Sequence, residues 1–443
     1  MESSYRRRKL TACLWIMGGG MLVAILWHGY QWLILGSRYP YNTFLFLSSV
    51  RFTDYTDTLA TAILPNPYVS PDIPYLPFTW VVLRPVALAA ADTSFIFFLF
   101  FSLGGLALLL SRVLAPIIPN PWARVGATYL LLGCGYPVLF CADRGNIELF
   151  LILLVAGALY YMGRARYFTA MLWLLPAICF KLYPALLLVF LVRQRKLRLT
   201  IGVLVAFVVI TFASLGILSL SPQIVWHLYQ RNMAYFSDFY VYENHSLEGA
   251  ASIWNAIKVS LILAGQQGLI APIDFTYDST FVHHAFAMYS AGMIFLVTTL
   301  ALFAGVLEKE FQRGAAMLLL FFALGSPAGG DYRLIYAGMA LVILVLATNR
   351  RRYDWWVLVL LALTMVPKKE IILGFAGRTE SDYRDVSAQV VLNPLLVSVA
   401  ILLLLIDSWR QRDLRWVRLR VYQWKNSVLG FVLPRRLSRR NAT

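Results

Sequence analysis

Two aspartates, Asp54 and Asp57, stand out in this chain because of where they lie. They follow the first long apolar stretch and belong to an aromatic and proline-rich segment, residues 38–85. A carboxylate at the edge of an apolar environment costs desolvation free energy, so its presence needs a reason. On a helix the two residues would share a face, where one carboxylate can orient the other or raise its pKa. The pair therefore predicts acid–base chemistry.

The composition indicates which kind of protein positions these acids. Of 443 residues, 60% are hydrophobic and 14% are charged, and the mean hydropathy is +0.67. This is too little polar surface for a soluble globular protein, so the chain is predicted to be an all-α, polytopic membrane bundle. The net charge of +17 comes from short basic clusters between apolar stretches, a topology signal that argues against nucleic-acid binding. The four cysteines lie inside apolar runs and predict neither disulfides nor a zinc site.

Compared with the roughly 20 helical residues that cross a bilayer, ten apolar stretches predict membrane-spanning helices. The first follows a basic N-terminus, and we interpret it as an uncleaved span. Basic residues recur in alternate loops, so the positive-inside rule predicts that both termini are cytoplasmic. The predicted spans are residues 10–35, 94–110, 125–141, 147–162, 200–220, 284–307, 314–326, 334–347, 355–366 and 390–406.

One further apolar segment, residues 169–192, does not fit this alternation because basic loops lie at both of its ends. It contains Lys181 and Pro184, which favour a break. We therefore predict a re-entrant pair of half-helices that turns back at residues 180–184.

The polar segments between the predicted spans then lie on the side of the membrane opposite the basic, cytoplasmic loops. Nucleotide sugars and ATP are cytoplasmic, so an active centre there would need an activated substrate that arrives through the lipid.

Six short motifs support a more specific interpretation. They are Asp54-Tyr55, Tyr75-Leu76-Pro77-Phe78-Thr79-Trp80 leading to Arg84-Pro85, Asp143-Arg144-Gly145-Asn146-Ile147-Glu148, Lys181-Leu182-Tyr183-Pro184, Asn244-His245-Ser246-Leu247-Glu248-Gly249 and Asp331-Tyr332-Arg333-Leu334-Ile335. In this order the sequence resembles the polyprenyl-phosphate-dependent glycosyltransferases of the GT-C membrane class, specifically family 87. The resemblance extends over roughly three quarters of the chain, counted as spans and loops that fit the topology.

The resemblance implies a GT-C helical bundle that moves one sugar, with mannose favoured, from a polyprenyl-phosphate donor to a lipid or glycan acceptor. The anomeric carbon would be inverted. One carboxylate must take the hydroxyl proton, and cationic or hydrogen-bonding groups must stabilise the departing phosphate. Asp54 matches the family's first-loop acid and is the predicted base, with Asp57 in reserve.

Arg333, beside Tyr332, is the first candidate for phosphate binding, because a guanidinium matches phosphate bidentately. The other candidate substrate-binding residues are Arg144, Lys181, Glu148, His245 and Asn244. Each has a structural alternative. Arg144 would join Asp143 and Glu148 in an ion-pair cluster, Lys181 would extend to the membrane interface, and Arg333 would anchor a span. Asn244-His245-Ser246 also matches a helix cap and a glycosylation acceptor sequence.

Residues 1–407 are predicted to form the catalytic membrane domain, and residues 408–443 a basic amphipathic tail that rests on anionic lipid at the cytoplasmic face. We expect a bacterial inner-membrane protein that needs no cofactor or metal ion besides its donor. Two other functions remain open. A transporter or flippase would also place cations inside the membrane, although no inverted repeat is visible. A polysaccharide polymerase or ligase would move a whole glycan.

Overall fold

The computed structural model describes residues 2–45, 48–71, 75–243, 247–273, 275–276, 278–369, 371–376 and 384–411. Within these ranges the chain forms seventeen α-helices and one two-stranded sheet, which confirms the predicted all-α class. The helices are α1 (Glu2–Leu33), α2 (Thr53–Ala62), α3 (Pro77–Ala87), α4 (Ala91–Leu114), α5 (Pro121–Gly133), α6 (Tyr136–Arg144), α7 (Glu148–Met162), α8 (Tyr167–Phe180), α9 (Val189–Arg193), α10 (Leu197–Ile217), α11 (Pro222–Phe236), α12 (Ile253–Gln266), α13 (Thr280–Leu302), α14 (Phe311–Leu324), α15 (Ile335–Leu346), α16 (Asp354–Thr364) and α17 (Gln389–Arg410).

Among the described helices, five are long and apolar enough to cross a membrane, namely α1, α4, α10, α13 and α17. Helices α5 and α6 meet at 63° and make a sixth if they form one broken span. The predicted number of ten spans was therefore wrong. Four of the predicted spans are α7, α14, α15 and α16, with 15, 14, 12 and 11 residues. At 1.5 Å per residue the longest covers about 22 Å, less than the roughly 30 Å of hydrocarbon core.

These short helices are apolar because protein, rather than lipid, surrounds them. α14 buries eleven of its fourteen residues, whereas only 17% of the apolar window of α4 is buried. Small residues allow the close packing. A Cβ on Gly157 would lie 2.4 Å from the Trp173 ring, and one on Gly314 would lie 3.2 Å from the Ala304 Cα. Hydrophobicity alone does not distinguish a lipid-facing helix from a helix in the protein core.

The break predicted within residues 169–192 is confirmed. α8 ends at Phe180, and Lys181 adopts an extended conformation. A 3₁₀ helix, Tyr183–Leu188, then leads into α9. The interruption turns Lys181 out of the helical path at the level of the polar cavity described below.

A buried ionic cluster joins four helices at the end of the bundle where α1 begins. Arg313 is 1% exposed and pairs with Glu310 (2.9 Å), Asp407 (3.2 Å) and Asp354. Lys9 is fully buried and also pairs with Asp354 (3.0 Å). Removing one member of such a cluster leaves uncompensated buried charge, which costs about 3–5 kcal/mol. The cluster therefore fixes α1, α14, α16 and α17 relative to one another.

The opposite end of the bundle carries the polar turns. The Tyr136 N–H donates to the Met365 carbonyl (2.9 Å), so α6 starts where α16 ends. A short antiparallel hairpin, β1 (Ile372–Ala376) and β2 (Arg384–Ser387), lies at this end and leads into α17. This end holds the candidate site.

Candidate active site

A cavity of about 560 Å³ brings together six of the residues predicted from the sequence. Its walls include Asp54, Asp57, Arg144, Lys181, Tyr332 and Arg333. Glu148 lies directly behind the wall and contacts two of these residues. Asn244 and His245 fall outside the described residues. The site combines segments that are up to 279 residues apart in the sequence, from Asp54 to Arg333.

Asp54 lies in the first turn of α2, where the helix dipole favours a negative charge. The helix begins after Phe52, whose φ of 63° places its backbone in the left-handed region. The Phe52 N–H donates to the Asp143 carbonyl (2.8 Å). This bond ties the start of α2 to the last turn of α6.

Both carboxylate oxygens of Asp54 accept hydrogen bonds from the α6–α7 turn. Arg144 Nη2 donates to Oδ1 (2.5 Å) and Asn146 Nδ2 donates to Oδ2 (2.7 Å). Arg144 Nη1 donates to the Val50 carbonyl (3.0 Å), which fixes the guanidinium itself. The Asp54 side chain is still 21% exposed toward the cavity. It is thus an oriented carboxylate that is accessible from the cavity.

The close contact between the α6–α7 turn and α2 explains the Asp-Arg-Gly-Asn motif at residues 143–146. Gly145 has a φ of 64°, and a Cβ there would lie 2.7 Å from the Tyr55 Cβ on α2. Only glycine allows the turn to approach α2 this closely. Asn146 serves both sides of the turn, because its Oδ1 accepts from the Glu148 N–H (3.0 Å) while its Nδ2 contacts Asp54.

Asp57 lies one turn further along α2, on the same cavity wall and more exposed than Asp54. The predicted shared face of the two aspartates is therefore present. The structure distinguishes them by their surroundings, because the paired hydrogen bonds from Arg144 and Asn146 go to Asp54.

Glu148 is a fully buried carboxylate that connects two cations of the cavity wall. Lys181 Nζ lies 2.8 Å from Oε1, and Arg333 Nε lies 3.7 Å from the same oxygen. The hydroxyls of Tyr183 (2.5 Å) and Tyr336 (2.7 Å) donate to Oε2. Two positive charges share one negative charge, so this wall presents excess positive charge to the cavity.

The turn that carries Tyr332 and Arg333 is anchored by Asp331. This carboxylate is fully buried and accepts from the Tyr136 hydroxyl (2.7 Å) and from Gln389 Nε2 (2.8 Å). Burial raises the pKa of Asp331 to about 7, against the lowering effect of the Tyr136 hydrogen bond. Asp331 belongs to one of the six sequence motifs, but no pattern in the sequence indicates its role, because its partners lie on α6 and α17.

The rest of the cavity wall combines aromatic rings with small turn residues. Such a lining, with a few convergent polar groups, is typical of pockets for organic substrates. The ring of an aromatic side chain in such a wall can pack against a sugar. The aromatic rings of the wall belong to Tyr75, Phe140, Phe180, Tyr229, Phe236 and Tyr240.

No cluster of three or more His, Cys, Asp and Glu side chains with the proximity to bind a metal ion occurs in the described part of the chain. The cationic side chains in the cavity wall are Lys181, Arg333 and Arg144.

Comparisons with curated proteins and with solved structures found no match to this chain.

A family model provides the assignment. The model described as glycosyltransferase family 87 matches residues 74–327, which is 254 of 443 residues. The matched range contains Arg144, Glu148 and Lys181, while Asp54 and Arg333 lie outside it. Since the match covers more than half of the chain, and several helices can span a membrane, the protein belongs to glycosyltransferase family 87 and is an integral membrane glycosyltransferase.

Proposed function

We propose that the protein transfers one sugar, with mannose as the favoured sugar, from a polyprenyl-phosphate donor to a hydroxyl of a lipid or glycan acceptor. The observation that carries this proposal is the shared cavity, in which an oriented carboxylate and a cationic wall face the same space. A proton acceptor and a site for a departing anion are the two elements that such a transfer needs.

In the proposed reaction Asp54 takes the proton of the acceptor hydroxyl as its oxygen bonds to the anomeric carbon. The bond from that carbon to the phosphate oxygen breaks on the opposite face, so the configuration inverts. Lys181 and Arg333 stabilise the phosphate, whose negative charge increases as it departs. Arg144 and Asn146 hold Asp54 in place throughout. The chemistry needs no cofactor, and the two cations supply the positive charge that a metal ion would otherwise provide.

The arrangement of charge favours an extracytoplasmic site. Basic side chains gather at the end of the bundle where α1 begins, and the cavity lies at the other end. By the positive-inside rule we therefore propose that both termini are cytoplasmic, and we retain the expectation of a bacterial inner-membrane protein. In this proposal residues 1–407 are the catalytic domain, and the tail from residue 408 rests on anionic lipid. Helix α17 continues to Arg410, and residues 412–443 lie outside the described residues.

The proposal is tested with purified protein, synthetic polyprenyl phosphates that carry different labelled sugars, and membrane glycolipid extract as acceptor. We expect transfer from the polyprenyl-linked sugar and none from nucleotide sugars. Lys181→Gln and Arg333→Gln should weaken donor use at least tenfold, because each removes a charge-assisted contact to phosphate. Arg112→Gln, an exposed arginine in the last turn of α4, is the matched control. Transfer from a nucleotide sugar alone, or donor lipid crossing proteoliposomes without transfer, would contradict the proposal.

A further inference from the structure

A second cavity of about 320 Å³ lies between α1, α4, α5, α7 and α15. It shares no lining residue with the active-site cavity. Its wall is mostly leucine, isoleucine, valine and methionine, and four polar residues complete it: Arg6, Arg164, Gln312 and Thr348. The proposed glycosyl transfer makes no use of this space.

The four polar residues lie at one end of the cavity. Arg6 is near the start of α1, and the neighbouring Lys9 contacts the Leu344 carbonyl at the end of α15 (3.5 Å). Gly163, which precedes Arg164, lies against Phe311 at the start of α14. The ends of α7 and α15 and the starts of α1 and α14 are therefore together, at the basic end of the bundle.

The basic end of the cavity is organised by side-chain packing. The Arg164 guanidinium stacks 3.7 Å above the ring of Tyr160, and Tyr160 also lines the cavity. This contact fixes one of the two lining arginines at the basic end of the cavity, next to an otherwise apolar interior. An amphiphile with one apolar chain and a negative head matches this distribution.

The length of the cavity indicates which amphiphile fits. Its lining residues on α15 extend from Ile335 to Leu346, about 17 Å at 1.5 Å per residue. This is close to half of the roughly 30 Å hydrocarbon core, the thickness of one leaflet. The length matches one acyl chain, whereas a long polyprenyl chain would extend beyond the cavity.

We propose that this cavity binds one acyl chain of an anionic phospholipid from the leaflet at the basic end, with the lipid phosphate at Arg6 and Arg164. The bound chain fills the space between α1, α4 and α5 on one side and α7 and α15 on the other. It acts as a structural ligand that stabilises the folded protein in proportion to its binding.

The test measures lipid binding to the full-length purified protein by native mass spectrometry. The probes are phosphatidylglycerol and phosphatidylcholine with identical chains, and a polyprenyl phosphate. We expect the wild type to bind one phosphatidylglycerol, about tenfold more tightly than phosphatidylcholine, because each arginine near the headgroup adds a favourable charge contact. The double variant Arg6→Gln/Arg164→Gln should lose this preference. Arg112→Gln/Arg198→Gln, which removes two exposed arginines outside the lining, should keep it.

A second variant separates the chain site from the headgroup site. Ala156→Trp places a large ring inside the cavity and should abolish binding of both phospholipids. Ala287→Trp, on the exposed face of α13, is its control. Binding that is unchanged in Ala156→Trp, or a preference for phosphatidylglycerol that persists without both arginines, would overturn the proposal. Displacement of phosphatidylglycerol by the polyprenyl phosphate would also overturn it, because the cavity would then hold the donor chain. If Ala156→Trp does not fold, the arginine pair decides.

Discussion

Replacing Glu148 tests whether one buried carboxylate holds the cationic wall of the active site together. We expect Glu148→Gln, which keeps the shape of the side chain and removes its charge, to destabilise the protein and weaken donor binding. Glu148 is fully buried, and its Oε1 lies 2.8 Å from Lys181 Nζ and 3.7 Å from Arg333 Nε. At an effective dielectric constant of about 20 these pairs attract by about 6 and 4.5 kcal/mol.

Much of that attraction is offset by the desolvation of three charged groups. Removing one partner of a buried pair costs about 3–5 kcal/mol, and we expect Glu148→Gln to fall in this range. Asp92→Asn removes an exposed carboxylate in the first turn of α4 and should cost less than about 1 kcal/mol. A detergent titration in mixed micelles, followed by tryptophan fluorescence, compares the free energies of unfolding.

A double-mutant cycle makes the test specific. Glu148→Gln and Lys181→Gln remove the same ion pair, so their combined effect should be smaller than the sum by about 0.5–3 kcal/mol. Equal stability of Glu148→Gln and Asp92→Asn, or strictly additive effects in the cycle, would refute the view that Glu148 organises this wall.

Three further predictions follow from single residues. Burial in the folded state raises the pKa of Asp331 from 3.8 to about 7, so between these pH values the folded protein holds a proton that the unfolded chain releases. The free energy of unfolding should therefore fall by at most about 4 kcal/mol from pH 4 to pH 7. Asp331→Asn should remove this slope, and an unchanged slope in pH-dependent unfolding would disprove the assignment. Gly145→Ala should cost at least about 1–2 kcal/mol and slow transfer, because its Cβ would displace Tyr55 and move Asp54; wild-type transfer rates would contradict this. Arg313→Met should remove the cation that three carboxylates share, leave Lys9 with Asp354 as the remaining pair of the cluster, and sharply lower the yield of folded protein, measured by size-exclusion chromatography; an unchanged yield would show that the cluster is dispensable.

The sequence predicts the class of fold well and the number of spans poorly. The apolar composition is enough to predict a helical membrane bundle, and Lys181 with Pro184 marks the break after α8. α14 and α15 were mistaken for spans because an apolar helix inside protein has the same composition as one in lipid. Whether an apolar helix is long enough to span the membrane depends on where it begins and ends, and those ends depend on turns and tertiary contacts.

The candidate site could be predicted as a set of residues, while the contacts between them could not. The motifs identify Asp54, Arg144 and Lys181, and the structure places them around one cavity. The sequence predicts that Arg144 binds substrate or joins an ion-pair cluster, and in the structure it pairs with Asp54, the proposed base. Asp331 received no role because no sequence pattern links it to Tyr136, 195 residues away.

The most direct test of the proposed mechanism is the rate of sugar transfer by Asp54→Asn, measured with a polyprenyl-phosphate sugar beside Asp57→Asn and the wild type. Loss of a general base lowers rates by about 10²–10⁴, so we expect that loss in kcat for Asp54→Asn, with donor binding retained. Asp57→Asn should keep measurable activity. Transfer at the wild-type rate by Asp54→Asn, or an equal loss in both variants, would contradict the assignment of Asp54 as the base.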